Sequence, residues 1–371
     1  MTDTLKGKRV VIHRSETFPL KSRVALALLV AFAIVLAGCG GSDAGSDNVA
    51  SEPAETATCH RVAAPNGSDV ATGTESAPFL TAQKLAASLG AGQTGCLRAG
   101  TYASTGLYVL DISSGGFRVR SYPGERAKLT GVVLVRSTAS NVTLSQLDFQ
   151  GDGTMNAIKI YAPDVVVEDS DITTLGRGWS CMMLGNNSGG GQATRVIVRR
   201  NRFHDCGSTA NTNKDHAVYA GNVADGQITG NVFWNTAAYA IHLYSNAQRT
   251  LVAHNVIDGD TPSIRGGIVI AGDSDYASSN NVIEQNVIAY SASANITSGW
   301  EASVGTGNIA RNNCLWKGAL GNIDASVGGV TTSGNLTADP AFVNRAGRDY
   351  RLAAGSPCLQ LVGFDAAALL K

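Results

Sequence analysis

Short segments of alternating apolar and polar residues recur along the chain, a pattern that predicts β-strands. Five segments share one layout of strand, polar corner and second strand, at residues 142–149, 196–203, 227–233, 251–257 and 282–288. An asparagine recurs at the corner, at Asn201, Asn231, Asn255 and Asn286, in steps of 30, 24 and 31 residues. A period of this length predicts a solenoid, whose coils bury their apolar faces by stacking. Asparagine suits the corner because it tolerates the left-handed backbone and its amide can hydrogen-bond the same amide in the next coil.

A further strand follows each corner, at residues 157–160, 181–184, 217–220, 240–243 and 267–270. Alternation directs one set of side chains inward, namely Ile158, Met182, Val218, Ile241 and Ile268. The residues between them form an outer column, namely Lys159, Met183, Tyr219, His242 and Val269. Because stacked strands lie ~4.8 Å apart, Tyr219 and His242 are expected to be direct neighbours in a parallel β-helix.

The N-terminal region predicts export. Lys21 and Arg23 precede an apolar run over residues 24–36, which is shorter than the ~20 residues of a membrane span. The small residues Ala37 and Gly38 then lead to Cys39. This arrangement resembles the lipobox of bacterial lipoprotein precursors, which implies that Cys39 is diacylated and anchors the protein to a membrane outside the cytoplasm.

Composition divides the chain into three parts. Residues 1–38 are predicted to be the lipoprotein signal peptide, residues 39–58 a flexible tether poor in apolar residues, and residues 59–371 one β-helix domain. The chain has 29 basic and 29 acidic residues, and this balance argues against a nucleic-acid partner.

Beyond Cys39, six cysteines remain, an even number that favours disulfides in an oxidising compartment. Six cysteines allow 15 connectivities. Their neighbourhood in the sequence favours pairs at the N-terminal end, in one coil region and in the terminal coils, namely Cys59–Cys96, Cys181–Cys206 and Cys314–Cys358.

The coil plan, together with residues 64–68, 79–89 and 98–102 near the start and 338–342 and 350–357 near the end, resembles the pectate-lyase-like superfamily. The resemblance covers roughly residues 60–360. It implies an all-β, right-handed parallel β-helix with an N-terminal capping helix formed by the amphipathic segment 79–89. It also implies that substrate lies across the outer column, beside the long loops that precede it.

The longest loop marks the candidate site. Steps along the inner ladder from Ile158 are 24, 36, 23 and 27 residues, and the longest step contains loop 204–216, directly before Tyr219. Long loops on a rigid solenoid are places where binding groups collect. The predicted catalytic residues are His216, Tyr219, Lys214 and His242. The predicted substrate-binding residues are Lys159, Arg177, Asp215, Tyr239, Tyr244 and Arg265.

These residue types fit elimination from a uronate, which needs a cation for the carboxylate, a base and an acid. Lys214 or Arg265 supplies the cation, His216 or Lys214 the base, and Tyr219 the acid. The sequence therefore predicts a polysaccharide lyase acting on an acidic glycan. Hydrolysis needs two carboxyl groups ~5–10 Å apart, and the outer column contains none.

Other functions stay open: a non-catalytic β-helix that binds glycan or cell envelope, a glycoside hydrolase of the same superfold, and an adhesive surface protein. Asp273 with Asp275, and Asp258 with Asp260, could bind calcium, but turn residues are the favoured interpretation. We therefore expect no metal and no cofactor, a polysaccharide partner, membrane attachment through Cys39, and a monomer.

Overall fold

The computed structural model describes residues 58–211, 213–260, 265–299 and 304–362. These form a mostly β, parallel solenoid of about 9 turns. The predicted signal peptide, Cys39 and nearly all of the tether lie outside the described residues. Within the described ranges, no helix is long and apolar enough to cross a membrane.

Each coil contributes strands to three faces. Face 1 is an 11-stranded parallel sheet of Arg61–Ala63, Thr94–Leu97, Arg118–Ser121, Val142–Ser145, Val165–Glu168, Ile197–Arg199, Gln227–Thr229, Leu251–Ala253, Val282–Glu284, Asn308–Arg311 and Val330–Ser333. Faces 2 and 3 together form an 18-stranded sheet. Gly100–Ile112 and Ala127–Val135 run along both of these faces.

Face 2 continues with Leu147–Gln150, Asp171–Thr173, Arg202–Cys206, Val232–Thr236, Val256–Asp258, Val287–Ala289, Cys314–Trp316 and Leu336–Thr337. Face 3 comprises Ile158–Ile160, Met182–Leu184, Ala193–Thr194, Val218–Ala224, Ile241–Gln248, Ile268–Ile270, Ile296–Ser298 and Ile323–Asp324. The remaining elements are the antiparallel hairpin Phe342–Asn344 and Asp349–Leu352, the helices Ala82–Ala87 and Leu359–Val362, and the 3-10 helix Thr209–Asn211.

The predicted register of face 3 is confirmed. Val218 pairs with Met182 on one side and with Ile241 on the other, and all three side chains are fully buried. Tyr219 pairs with Met183 and with His242. The predicted outer column therefore exists, and it continues beyond Val269 to Thr297 and Asp324.

The corner asparagines form a hydrogen-bonded ladder through the solenoid. The Nδ2 of Asn201 donates to Oδ1 of Asn231 at 3.0 Å, and Asn231 donates in the same way to Asn255 at 3.0 Å. The ladder continues through Asn286 and Asn313 to Asn335. Each amide also satisfies backbone groups that would otherwise be buried without a partner.

One detail of the predicted corner is wrong. The left-handed backbone belongs to the residue before each asparagine, namely Arg200, Gly230, His254, Gln285, Asn312 and Gly334. None of the corner asparagines from Asn201 to Asn286 has a positive φ. Asparagine is therefore required at the corner for its amide, while the backbone reversal is left to its neighbour.

The predicted capping helix is much shorter than the amphipathic segment 79–89. Only Ala82–Ala87 is helical, and the described residues contain no helix of seven or more residues. Thr81 accepts the N–H of Lys84 at 3.0 Å, and Ser88 already ends the helix by donating to the carbonyl of Leu85 at 2.7 Å. Leu85 is buried and joins the core at this end of the solenoid.

All three predicted disulfides are present: Cys59–Cys96, Cys181–Cys206 and Cys314–Cys358. Such bonds are typical of proteins outside the cytoplasm. The last one ties the C-terminal segment to face 2. There the buried Tyr350 packs against a column of Val232, Val256 and Val287.

Candidate functional site

The loop predicted to border the site connects faces 2 and 3 directly before Tyr219. The strand Arg202–Cys206 precedes it and the strand Val218–Ala224 follows it. The loop brings His216 to the outer column, where its ring centroid lies 5.7 Å from that of Tyr219 and 4.3 Å from that of His242. We call His216, Tyr219, Tyr239, His242 and Tyr244 the histidine–tyrosine cluster.

The two imidazoles are hydrogen-bonded to each other. Nδ1 of His216 accepts the backbone N–H of Tyr239 at 3.3 Å, so its proton lies on Nε2. That nitrogen lies 2.7 Å from Nδ1 of His242, which accepts the bond when both rings are neutral. His216 thus uses both ring nitrogens within the protein.

Both imidazoles are also buried, with 1% of His216 and 2% of His242 exposed. Burial lowers the pKa of His216 to about 3, and the nearby positive charge of Arg265 adds to this effect. Burial, followed by the charges of His216 and Arg265, lowers the pKa of His242 well below its ordinary value. The pair is therefore neutral at pH 7, whereas the sequence predicted groups that face a groove directly.

The tyrosines differ in their access to solvent. Tyr239 is buried, and its ring centroid lies 6.1 Å from that of His216 and 5.8 Å from that of His242. Tyr219 and Tyr244 are half-buried, and their ring centroids are 6.3 Å apart. These two phenols are the members of the cluster that a polymer on the surface could contact.

Arg265 is a cation beside the cluster. Its guanidinium carbon lies 5.8 Å from the ring centroid of Tyr239. Its Nη2 donates to Oδ1 of Asn213 at 2.9 Å, which connects it to the long loop. Lys214, in the same loop, is exposed.

Asp215 organises its own loop. One carboxylate oxygen accepts the N–H of Ser208 at 3.0 Å, and the other accepts Nδ2 of Asn211 at 3.0 Å. Burial raises the pKa of Asp215, and the N–H groups of Ser208 and Trp179 partly offset that rise. A carboxylate engaged in this way is poorly placed to bind an acidic sugar.

The two remaining predicted residues lie on earlier coils. Lys159 is two strands from Tyr219 in the outer column, and its Nζ lies 5.8 Å from the ring centroid of Tyr161. Arg177 is exposed in the loop before strand Met182–Leu184.

Sequence reasoning missed two residues that hold these groups. Asn213 holds Arg265, and Oγ of Ser180 accepts the N–H of His216 at 3.1 Å. Asn213 lies in the loop that the repeat spacing marked as long, so the length of that loop could have identified Asn213 as a candidate. Nothing in the spacing distinguishes Ser180.

A third histidine, His204, lies on face 2. Nε2 of His204 is 2.9 Å from Asp171, Nδ1 is 2.6 Å from Asp205, and the ring stacks on Trp234 with centroids 4.7 Å apart. Burial disfavours the imidazolium, but the hydrogen bonds and charges of Asp171 and Asp205 outweigh it, so the pKa of His204 is raised. Burial likewise opposes ionisation of Asp171, yet His204 and Arg202 lower its pKa.

This arrangement predicts a pH-dependent contribution to stability. Because the pKa of His204 is raised in the folded state, its stabilisation is fully present below the unfolded value of 6.5 and is lost as pH rises through the folded pKa. We expect His204→Asn to lower the melting temperature more at pH 5 than at pH 9. His216 and His242 titrate in both proteins and cancel from this difference. A deficit that is equal at both pH values would contradict the ion-pair assignment.

Within the described residues, no three His, Cys, Asp or Glu side chains come together to hold a metal ion. Asp258 instead accepts Nη2 of Arg345 at 2.8 Å and the hydroxyl of Tyr350 at 2.9 Å. Asp273 accepts the N–H groups of Asp275 and Tyr276 within its own turn.

Comparison with known proteins supports the fold assignment. The model of the protein family described as Disaggregatase related matches residues 155–359, more than half of the chain. Pectate lyase Pel9A has a TM-score of 0.55 at 13% identity, over 81% of this chain and 91% of Pel9A. XylC, solved in complex with xylose, has a TM-score of 0.53 at 12% identity, over 74% of this chain and 67% of XylC. No curated protein sequence matches this chain.

Proposed function

The chain belongs to the Disaggregatase related family, and from that premise we propose that it is an extracytoplasmic polysaccharide lyase that acts on a uronate-containing glycan at the outer column of face 3. The observation that carries the proposal is the position of Tyr219. It is half-buried on this column, with its ring centroid 5.7 Å from that of the neutral His216, and Arg265 is close enough to lower the pKa of both imidazoles.

Elimination proceeds by removal of the proton on the carbon next to the carboxylate and by cleavage of the bond to the leaving oxygen. Arg265 is the cation that we assign to the uronate carboxylate, which acidifies that proton. Lys214 is the exposed amine available as the base. Tyr219 gives its proton to the leaving oxygen, and a carbon–carbon double bond forms in the sugar.

His216 and His242 act in this proposal as positioning residues. Their mutual hydrogen bond and their burial keep them neutral and fix the surface on which the Tyr219 ring rests. This assignment changes the predicted role of His216, since an imidazole with both nitrogens engaged is a poor base for a surface substrate.

The alternative functions are a hydrolase and a binding module. Asp215 is the acid nearest the cluster in the sequence, and its own loop uses both of its oxygens, which disfavours a hydrolytic pair. Asp324 lies in the same column three strands beyond His242, roughly 14 Å along the solenoid. A binding module would use Tyr219 and Tyr244 for stacking and would release no product.

We also propose that Cys39 carries the lipid anchor. The proposal rests on the basic, apolar and small-residue order of the leader and on the three disulfides of the β-helix. A mature N-terminal peptide that begins at Cys39 with the mass of added acyl chains is the expected result in mass spectrometry. An unmodified Cys39 in the full chain would contradict it.

The lyase proposal is tested by incubating the protein with polygalacturonate, alginate and hyaluronate, with dextran as a neutral control. We expect absorbance near 235 nm, the signature of an unsaturated uronate, to rise with at least one acidic polymer and not with dextran. Binding without any rise would favour the binding module. New reducing ends without this absorbance would favour hydrolysis.

A further inference from the structure

Trp179 stands out in the loop before strand Met182–Leu184. Half of its surface, 50%, is exposed, and its backbone is left-handed with φ of 63°. A residue with a Cβ is disfavoured in that backbone region, so the surrounding structure must hold it. Exposure of a large aromatic side chain on a held loop makes this loop a candidate binding element.

The loop of Trp179 is fixed to the loop of the candidate site. The backbone N–H of Trp179 donates to the carboxylate of Asp215. Oγ of the next residue, Ser180, donates to the carbonyl of Lys214 at 3.3 Å and accepts the N–H of His216 at 3.1 Å. The buried carboxylate of Asp215 therefore positions Trp179.

The position of Trp179 relative to Tyr219 follows from the register. Met183, four residues after Trp179, pairs directly with Tyr219. The coil that carries Trp179 is thus displaced from that of Tyr219 by one strand spacing, ~4.8 Å, toward Lys159. A polymer that lies along the outer column from Tyr219 toward Lys159 passes this loop.

The loop of Trp179 also carries a cation. Arg177 is two residues from Trp179 in the sequence and is exposed. Among the described residues, its side chain forms no ion pair. An indole face packs on the apolar face of a sugar ring, and a guanidinium in the same loop can bind a carboxylate.

We propose that Trp179, with Arg177, forms a second subsite that binds another uronate ring of the polymer attacked at Tyr219. The proposal rests on the proposed function and specifies how the polymer is held. The subsite supplies affinity for long chains and takes no part in bond cleavage.

The test compares Trp179→Ala with Leu175→Ala. Leu175 is a matched control because it lies in the same loop, is 43% exposed and is also left-handed, with φ of 54°. Calorimetric titration uses polygalacturonate, alginate, hyaluronate and dextran. We expect Trp179→Ala to weaken binding of the acidic polymer about tenfold or more and to raise KM with kcat nearly unchanged. Leu175→Ala should bind within about twofold of the parent protein.

Two further measurements keep the proposal falsifiable. Trp179→Phe retains an aromatic face and should keep most of the affinity of the parent protein, which tests the subsite even where the alanine variant is poorly folded. The polymer should also shift tryptophan fluorescence in the parent protein, and Trp179→Ala should lose that shift.

The outcomes separate the subsite from the function. Unchanged binding in Trp179→Ala, with cleavage still dependent on Tyr219, overturns the subsite alone. If Trp179→Ala loses dextran binding as much as it loses binding of the acidic polymer, the subsite has no preference for acidic sugars and that part of the proposal is overturned. A parent protein that neither binds nor cleaves any of the polymers overturns the proposed function and the subsite with it.

Discussion

Replacing Ile241 by Asp should unfold the solenoid or lower its free energy of unfolding by about 3–5 kcal/mol. Ile241 is fully buried in the inner ladder, where it pairs with Val218 and Ile268. A carboxylate at this position would lose its hydration and find no cation among these apolar neighbours. Urea denaturation followed by circular dichroism measures the loss.

A matched control is Gln227→Asp in the same coil. Gln227 is exposed on face 1, so the same charge remains in water there. We expect the midpoint of Gln227→Asp to stay close to that of the parent protein. Similar losses in both variants would mean that Ile241 does not point into the core and that the strand register is shifted.

The asparagine ladder explains why so much of the fold could be predicted from the sequence. Each coil repeats one hydrogen bond to the next, so the same residue type must recur at each corner. Strict alternation then decides which residues of a short strand point inward, as it does for Ile241 and His242. The disulfide pairs could be predicted for a related reason: cysteines in neighbouring coils are close in the sequence and also close in space.

Two local features of the backbone were predicted less well: the length of the N-terminal helix and the identity of the left-handed corner residue. Segment 79–89 is amphipathic over its full length, yet its helix ends at Ala87 because Ser88 caps it. The left-handed corner residue varies in type from Arg200 to Gly230, because the hydrogen bonds between the coils are made by the next asparagine and not by this side chain. No single residue type signals that position.

The candidate site shows a related limit. Alternation placed Tyr219 and His242 side by side on the outside of the sheet, as the structure has them. It could not predict that His242 is buried, because burial depends on the loops that fold over the column. The ion pair of His204 with Asp171 could not be predicted either, since Asp171 comes from another coil, 33 residues earlier in the sequence.

Replacing Tyr219 by Phe should lower turnover of a uronate polymer by about 10²-fold or more, the usual scale for removing a proton-transfer group. The substitution removes the hydroxyl and keeps the ring that rests on His216 and His242. We therefore expect polymer affinity and melting temperature to stay near those of the parent protein. Absorbance near 235 nm, calorimetric titration and thermal denaturation measure the three quantities.

Tyr108→Phe provides the control for loss of a phenol, because Tyr108 lies on strand Gly100–Ile112, which is displaced from the strand of Tyr219 by four strand spacings, roughly 19 Å along the solenoid. It should leave turnover unchanged.

His216→Ala should lower turnover and stability together, since it removes a buried partner of His242. Because the pKa of His216 is about 3 and that of His242 is well below its ordinary value, the rate should show no histidine inflection between pH 5 and 8. An inflection near 6.5, with Tyr219→Phe fully active, would instead assign proton transfer to an exposed imidazole and contradict the role given to Tyr219.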